Sequence, residues 1–148
     1  LSSTHSIPSA PSAGRDVYQI GDVADKVTLS LRTTRFYAEA GLLAAVAEDG
    51  TGSPLYDDAA IDRLLLVKKM KPLGFALEEM RALIALRDEA TSEATPPELR
   101  AELLDRLQTW VTLGEEKLRS LEEQVRIAES FLHGLHDDAH RARRVAGE

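Results

Sequence analysis

Between Leu104 and Leu135 an apolar or small residue returns at spacings of three and four without a break. The series is Leu104, Leu107, Val111, Gly114, Leu118, Leu121, Val125, Ala128, Leu132 and Leu135. Strands alternate at two and loops hold no period, so this pattern requires a helix with a single apolar seam. Kept up over more than four heptads, it is the signature of a coiled coil. With Leu104 at position a, Glu115, Glu122 and Glu129 fall at e, while Leu103, Trp110 and Phe131 at g widen the stripe. Upstream, Thr95-Pro96-Pro97-Glu98 marks the start: Thr95 as N-cap, Pro96 at the first helical position and Glu98 at the third. A helix over 96–133 is roughly 55 Å long at about 1.5 Å per residue. It cannot fold back on itself, and alone it exposes its whole seam. It needs a partner helix, and a second copy of the chain is the simplest one. Residues 95–135 are therefore the expected dimerisation element, with Gly114 and Ala128 allowing close approach.

The preceding sequence divides into short elements. Residues 1–16 are rich in Ser, Pro and Ala and read as a disordered leader; ordered sequence is expected from Val17. "YQIGDVADKV" carries Ile20, Val23, Ala24 and Val27 at helical spacing. After a link of about three residues, Ser30 is a good N-cap for a second helix that Gly41 stops. Two short helices so joined form a helix-turn-helix, whose second helix enters a DNA groove. Leu31 and Ala38 are expected to face its core, with Arg32, Arg35 and Phe36 turned outward. "AAVAEDGTGSPLY" reads as a hairpin or wing; Gly50 and Gly52 have no strand–loop–helix context, so a plain turn is expected rather than a phosphate loop. Asp57 and Asp58 open a third helix whose last turn carries lysines, which suits the helix dipole better than an acid–base pair does. Pro72 and Gly74 end it. A fourth helix, "LEEMRALIAL", offers Met80, Leu83 and Ile84 to the core. The head with these linker helices spans 17–90, and residues 136–148 read as a flexible tail.

The net charge of -7 is unevenly spread. No Asp or Glu occurs from Lys26 to Ala38 or from Arg63 to Leu77, and both windows are basic. Counterion release depends on the local cationic footprint, so an acidic total does not exclude nucleic acid.

At this point a specific resemblance emerges. "YQIGDVA", "SLRTTRFYAEAGLL", "PLYDDAAIDRL" and "KKMKPLGFALEEMRALI" occur in the order and spacing of the mercury-resistance-regulator (MerR) family of bacterial transcription regulators. Between Tyr18 and about Leu86 the chain resembles that family, and the downstream helix fits its plan. The resemblance implies a mostly α fold: a winged helix-turn-helix head, two short helices and a long antiparallel coiled-coil dimerisation helix. It implies a homodimer on double-stranded promoter DNA that bends and untwists the duplex so that RNA polymerase engages both promoter elements. Carried over by position, Arg32, Thr33, Arg35 and Phe36 lie on the DNA-facing helix, and Tyr37 contacts backbone. Phe36 replaces the first tyrosine of the family's Arg-Tyr-Tyr and lacks its hydroxyl. Tyr56, Lys68 and Lys71 match phosphate-contact positions. The wing departs from the family: Val46, Ala47, Glu48 and Asp49, then Gly52-Ser53-Pro54, stand where arginines and a Gly-Tyr-Arg are usual. A weaker wing contribution follows.

The chain contains no cysteine. Thiolate metal sites, iron–sulfur clusters and thiol redox sensing are therefore excluded, and a reducing cytoplasm is compatible. His133, His136 and His140, with Asp137 and Asp138, are weak candidates for nickel, cobalt or zinc; a polar tail whose histidines cap or solvate a fraying helix explains them better, and neither metal nor cofactor is expected. The effector is open between a small molecule at the dimer interface, another protein, and none. No apolar run approaches the roughly 20 residues of a membrane span, so no crossing is expected, and no basic-then-apolar leader indicates secretion. No nucleophile–base constellation suggests an enzyme. The alternative function is a protein-interaction module whose coiled coil captures a transcription-related partner.

Overall fold

The computed structural model describes residues 16–147; the expected leader therefore lies outside the described residues apart from Asp16. The chain divides into two compact units, one ending at Asp88 and the other beginning at Glu89.

In the first unit, α1 (Ile20–Val27) and α2 (Leu31–Glu39) form the helix-turn-helix. Gln19 and Asp22 make a reciprocal capping box at the start of α1. Thr28 closes the helix at φ 58°, and the N–H of Leu29 returns to the carbonyl of Ala24. This left-handed threonine, rather than a glycine, makes the tight link to α2. Ser30 caps α2 as expected, its Oγ accepting from the N–H of Thr33 at 3.0 Å. Gly41, at φ 85°, ends the helix, and its N–H bonds to the carbonyl of Ala38.

The wing follows as β1 (Ala47–Glu48) and β2 (Pro54–Leu55), antiparallel, with Ala47 opposite Leu55 and Glu48 opposite Pro54. A bridge between Tyr18 and Tyr56, with N–H···O distances of 2.7 and 2.8 Å, ties the wing to the chain entering α1. Next come α3 (Asp58–Met70) and α4 (Leu77–Thr91). Asp57 is the N-cap of α3, accepting from the N–H of Ala59 at 3.2 Å. The core gathers Val23, Ala24 and Val27 of α1, Leu42 beyond α2, Leu64 and Val67 of α3, and Met80 of α4, all nearly without solvent contact. Two reciprocal ion pairs, Arg63–Asp88 at 2.6 Å and Arg87–Asp62, bind α3 to α4.

Three details of the core differ from expectation. Leu31 is exposed and Ala38 only half-buried, whereas Thr34 and Tyr37 supply the inward face of α2. Thr34 is tolerated because its Oγ1 donates to the Ser30 carbonyl at 2.9 Å, leaving no unsatisfied hydroxyl. On α4, Leu86 is buried beside Met80 and Ile84, and Leu83 only partly so.

The second unit is dominated by α5, Pro97–Ala146, 50 residues long and roughly 75 Å at about 1.5 Å per residue. The expected flexible tail at 136–148 is instead helical through Ala146. Nothing between Leu135 and Ala146 breaks a helix, and Arg143 and Arg144 suit the negative end of its dipole. The start also shifts: Pro96 is the N-cap and Pro97 the first helical residue. Thr95 turns away, its Oγ1 donating to the Glu89 carbonyl at 2.7 Å. Arg100 reaches back to the Ser92 carbonyl at 2.8 Å and holds this link.

Candidate nucleic-acid interface

On α2, Arg32, Arg35, Phe36 and Glu39 recur at spacings of three and four and form one outward stripe. Both arginines are exposed, and the Phe36 ring is 55% exposed despite being apolar. Thr33, half-buried, lies beside them with its Oγ1 accepting from Ser30 Oγ at 2.9 Å. Glu39, absent from the residues singled out by sequence, adds a carboxylate to this face; it stands one position beyond the acid-free window.

Tyr37 and Tyr56 do not stand on this face as expected. They are only 7% and 5% exposed. Tyr37 falls one position past the outward stripe, so its ring turns into the core, where it meets Phe36 edge-on at 5.4 Å between centroids. That contact fixes the base of the exposed Phe36 ring. Tyr56 is held by its bridge to Tyr18. Lys68 is also partly diverted: its Nζ donates to the Val27 carbonyl at 2.8 Å and closes the C-terminus of α1. Lys71, at the C-cap of α3, is exposed.

An open cleft of about 670 Å³ separates α2 from the wing and the start of α1, with Leu31, Arg35, Glu39, Asp49, Pro54 and Tyr56 on its walls. Exposure of Leu31 has its explanation here, since the first turn of α2 borders the cleft rather than the core.

Three side chains whose roles sequence reasoning did not assign, Asp49, Tyr18 and Arg81, build this geometry. The carboxylate of Asp49 accepts from the N–H and Oγ1 of Thr51 at 2.8 and 2.7 Å, and from the N–H of Ser53 at 3.0 Å. Its other oxygen accepts from Gln19 Nε2 at 3.2 Å. The hydrogen bonds from Thr51, then Ser53, hold this carboxyl below the usual carboxylate range. Its acid is therefore spent on shaping the turn; an Asp followed by Gly-Thr-Gly-Ser is the signal that was available. Tyr18 donates its hydroxyl to Asp58 Oδ1 at 2.7 Å, and Lys26 Nζ lies 4.8 Å from its ring centroid. That hydrogen bond, with burial and the nearby charges of Asp58, Asp16 and Asp57, pushes the Tyr18 phenol up to about 12. Arg81 of α4 donates to the Ala40 carbonyl, closing α2 as Lys68 closes α1. No local pattern announces a cap supplied from 41 residues away.

On α5 the seam is laid bare along the single chain. Leu104 is 65% exposed, and Val111, Leu118, Leu121, Val125, Leu132 and Leu135 are likewise exposed, as are Gly114 and Ala128; Leu107 is half-buried. Leu103 is buried. His133 approaches Asp137 at 3.7 Å, but His136 and His140 do not join a site: no group of three or more His, Cys, Asp or Glu suited to a metal occurs among the described residues. Among those residues, no helix is long and apolar enough to cross a membrane.

Comparison with known proteins points the same way. The family pattern described as "MerR HTH family regulatory protein" matches residues 18–86, and "MerR, DNA binding" matches residues 61–137. The chain is similar to the mercuric resistance operon regulatory protein of Bacillus cereus, 36% identical over 75 residues; these are 49% of this chain and 57% of that protein, little more than half its length. It is also similar to the HTH-type transcriptional regulator HmrR of Rhizobium leguminosarum bv. viciae, 29% identical over 117 residues, 79% of this chain and 85% of that one. Among solved structures, HiNmlR, a MerR family regulator lacking the sensor domain and bound to promoter DNA, has a TM-score of 0.53. At 23% identity over 80% of this chain and 91% of that chain, it speaks to the fold alone.

Proposed function

We propose that this chain, which belongs to the MerR family of DNA-binding transcription regulators, acts as a homodimer that sets α2 into the major groove of promoter DNA and deforms the duplex. The observation that carries the reading is the outward stripe of Arg32, Arg35 and Phe36 on a helix whose two ends are held by Ser30 and Arg81. Arginine pairs bidentately with guanine or phosphate, whereas Thr33 suits phosphate or a base edge. Lys71, and the two donors of Lys68 left after its bond to Val27, supply point charges for the backbone. Tyr37 supports this surface from within.

A two-fold dimer places two such heads on a pseudo-palindrome. Bending and untwisting the intervening DNA, at a cost of several kcal/mol, would bring two promoter elements into register for RNA polymerase in the cytoplasm. The regulator uses no resident cofactor in this account. Binding to genomic promoter fragments, measured by fluorescence anisotropy at rising salt, tests the reading. Affinity should fall steeply and linearly on logarithmic axes as phosphate contacts are lost; affinity indifferent to salt would refute it.

One observation favours a second reading. The wing carries the exposed Glu48 and the half-buried Asp49 and no cation, so its own surface repels phosphate. On this alternative the long helix captures a transcription-related protein, and the same titration gives no salt-dependent DNA binding.

A further inference from the structure

Phe36 stands among charged neighbours on the outward stripe of α2, and its ring offers no hydrogen bond to a phosphate or a base edge. It is 55% exposed, and Leu31 is 43% exposed. Leu31, Arg32, Arg35, Phe36 and Glu39 together line a shallow hollow of about 600 Å³ on the outer face of the helix. Leu31 and Phe36 are its apolar walls; the two arginines and the glutamate form a charged rim. One exposed apolar side chain is ordinary on a protein surface. Two that wall one hollow beside a pair of arginines suit a ligand that is apolar at its centre and acceptor-rich around it. The Phe36 ring is also braced from behind, because Tyr37, which it meets edge-on at 5.4 Å, is buried. A side chain already held in place loses little freedom when a ligand settles on its outer face.

We infer that Phe36, with Leu31 beside it, takes the 5-methyl group of a thymine, so that the duplex this chain prefers carries thymine at one fixed position of each half-site. This rests on the placement of α2 in the major groove proposed above, and it names what one residue reads there. The chemistry of base edges leaves one candidate. Guanine, cytosine and adenine present donors and acceptors in the major groove, whereas thymine adds a methyl group. An apolar wall therefore finds its match on thymine alone. The rim accounts for what surrounds the methyl. Arg32 stands one helical turn before Phe36, about 6 Å at about 1.5 Å per residue, and successive bases are about 3.4 Å apart. A guanine or phosphate held by Arg32 thus lies within about two base pairs of the thymine. Glu39, at the end of the helix, repels phosphate and accepts from the exocyclic amine of cytosine, which turns the hollow toward the groove floor rather than the strand. A tyrosine at position 36 would bring a hydroxyl that suits a phosphate; phenylalanine leaves apolar contact alone.

The test uses the duplex that the unmodified chain enriches from a random pool. Each thymine in it is replaced singly by deoxyuridine, which removes the methyl group and leaves every hydrogen-bonding edge in place. Fluorescence anisotropy at fixed salt should show a roughly four-fold loss of affinity at one position of each half-site, as the burial of about one methyl group implies. Phe36→Ala should bind the thymine duplex more weakly and no longer distinguish it from the deoxyuridine duplex at that position. Phe36→Gln, which keeps the bulk beside Tyr37 but loses the apolar face, should give the same result without leaving a gap. A general loss of fold or charge weakens both duplexes in proportion and leaves their ratio unchanged, so the ratio isolates the methyl contact. Equal binding of the thymine and deoxyuridine duplexes at every position, an enriched half-site without thymine, or variants that keep the full four-fold ratio would overturn the inference while leaving sequence-specific binding standing. If the unmodified chain enriches no sequence at all, the placement of α2 in the groove falls with it.

Discussion

Thr34 shows how a single hydroxyl settles which face of α2 turns inward. A threonine at a core position looks like an error in an apolar pattern, and sequence alone favours Leu31 and Ala38 there. The hydroxyl donates to the Ser30 carbonyl one turn back, so its burial leaves nothing unpaired. That frees Leu31 to border the cleft. Ser30 in turn caps the same helix, and losing such a cap typically costs about 1 kcal/mol. Ser30→Ala should lower stability by about that amount in urea unfolding and weaken DNA binding with it, because it frays the end that carries Arg32. Asp49 governs the wing in a similar way. Its folded pKa is depressed, so its contribution is fully present above the ordinary carboxylate value of about 4 and is lost as pH falls through the lower folded value. Thr51 and Ser53 amide resonances should therefore hold steady from neutral pH down to that range and move only below it. Asp49→Ala should show displaced resonances already at pH 7; coincident spectra would contradict this role.

At the scale of elements, the helices were legible where chemistry is local. Ser30, Gly41, Asp57 and the Gly-Thr-Gly turn each act within four residues of their own position, and each stands where the sequence places it. The long-range fastenings were not legible: Lys68 to Val27, Arg81 to Ala40 and Tyr18 to Asp58 join residues 40 or 41 apart. The burial of the tyrosines at 37 and 56 was not legible for a related reason, since an aromatic with a hydroxyl suits either a phosphate or a half-polar core. The C-terminal segment, expected as a flexible tail, is helical through Ala146; its apolar seam thins to alanines after Leu135, but alanine is the best helix former of all. The wing invites the sharpest test at this scale. Pro54 lies in β2 opposite Glu48 and borders the cleft beside Arg35, so Pro54→Arg restores a cation where the family has one. Gel-shift titration should show tighter binding; unchanged or weaker affinity would mean that the wing stands clear of the DNA.

For the molecule as a whole, the coiled-coil seam and the head depend on each other. Burying a leucine or valine side chain is worth roughly 1.5–3 kcal/mol. The seam offers eight such residues per copy, already about half shielded on the lone helix. Even at half value, two copies gain enough to meet an association cost of about 4–15 kcal/mol. On the proposed reading, dimerisation gives each α2 a second grip on the same duplex. Net charge of -7 works against binding, so Arg32 and Arg35 on the outward stripe of α2 must supply most of the attraction, against the carboxylate of Glu39 at its end. The most direct test is selection from a pool of random duplexes at fixed salt, performed with the unmodified chain and with Arg35→Ala. The unmodified chain should enrich a two-fold symmetric sequence, and Arg35→Ala should lose that enrichment while keeping its helical content and dimeric state. No enriched sequence with the unmodified protein, or the same symmetric sequence enriched equally by Arg35→Ala, would contradict the account.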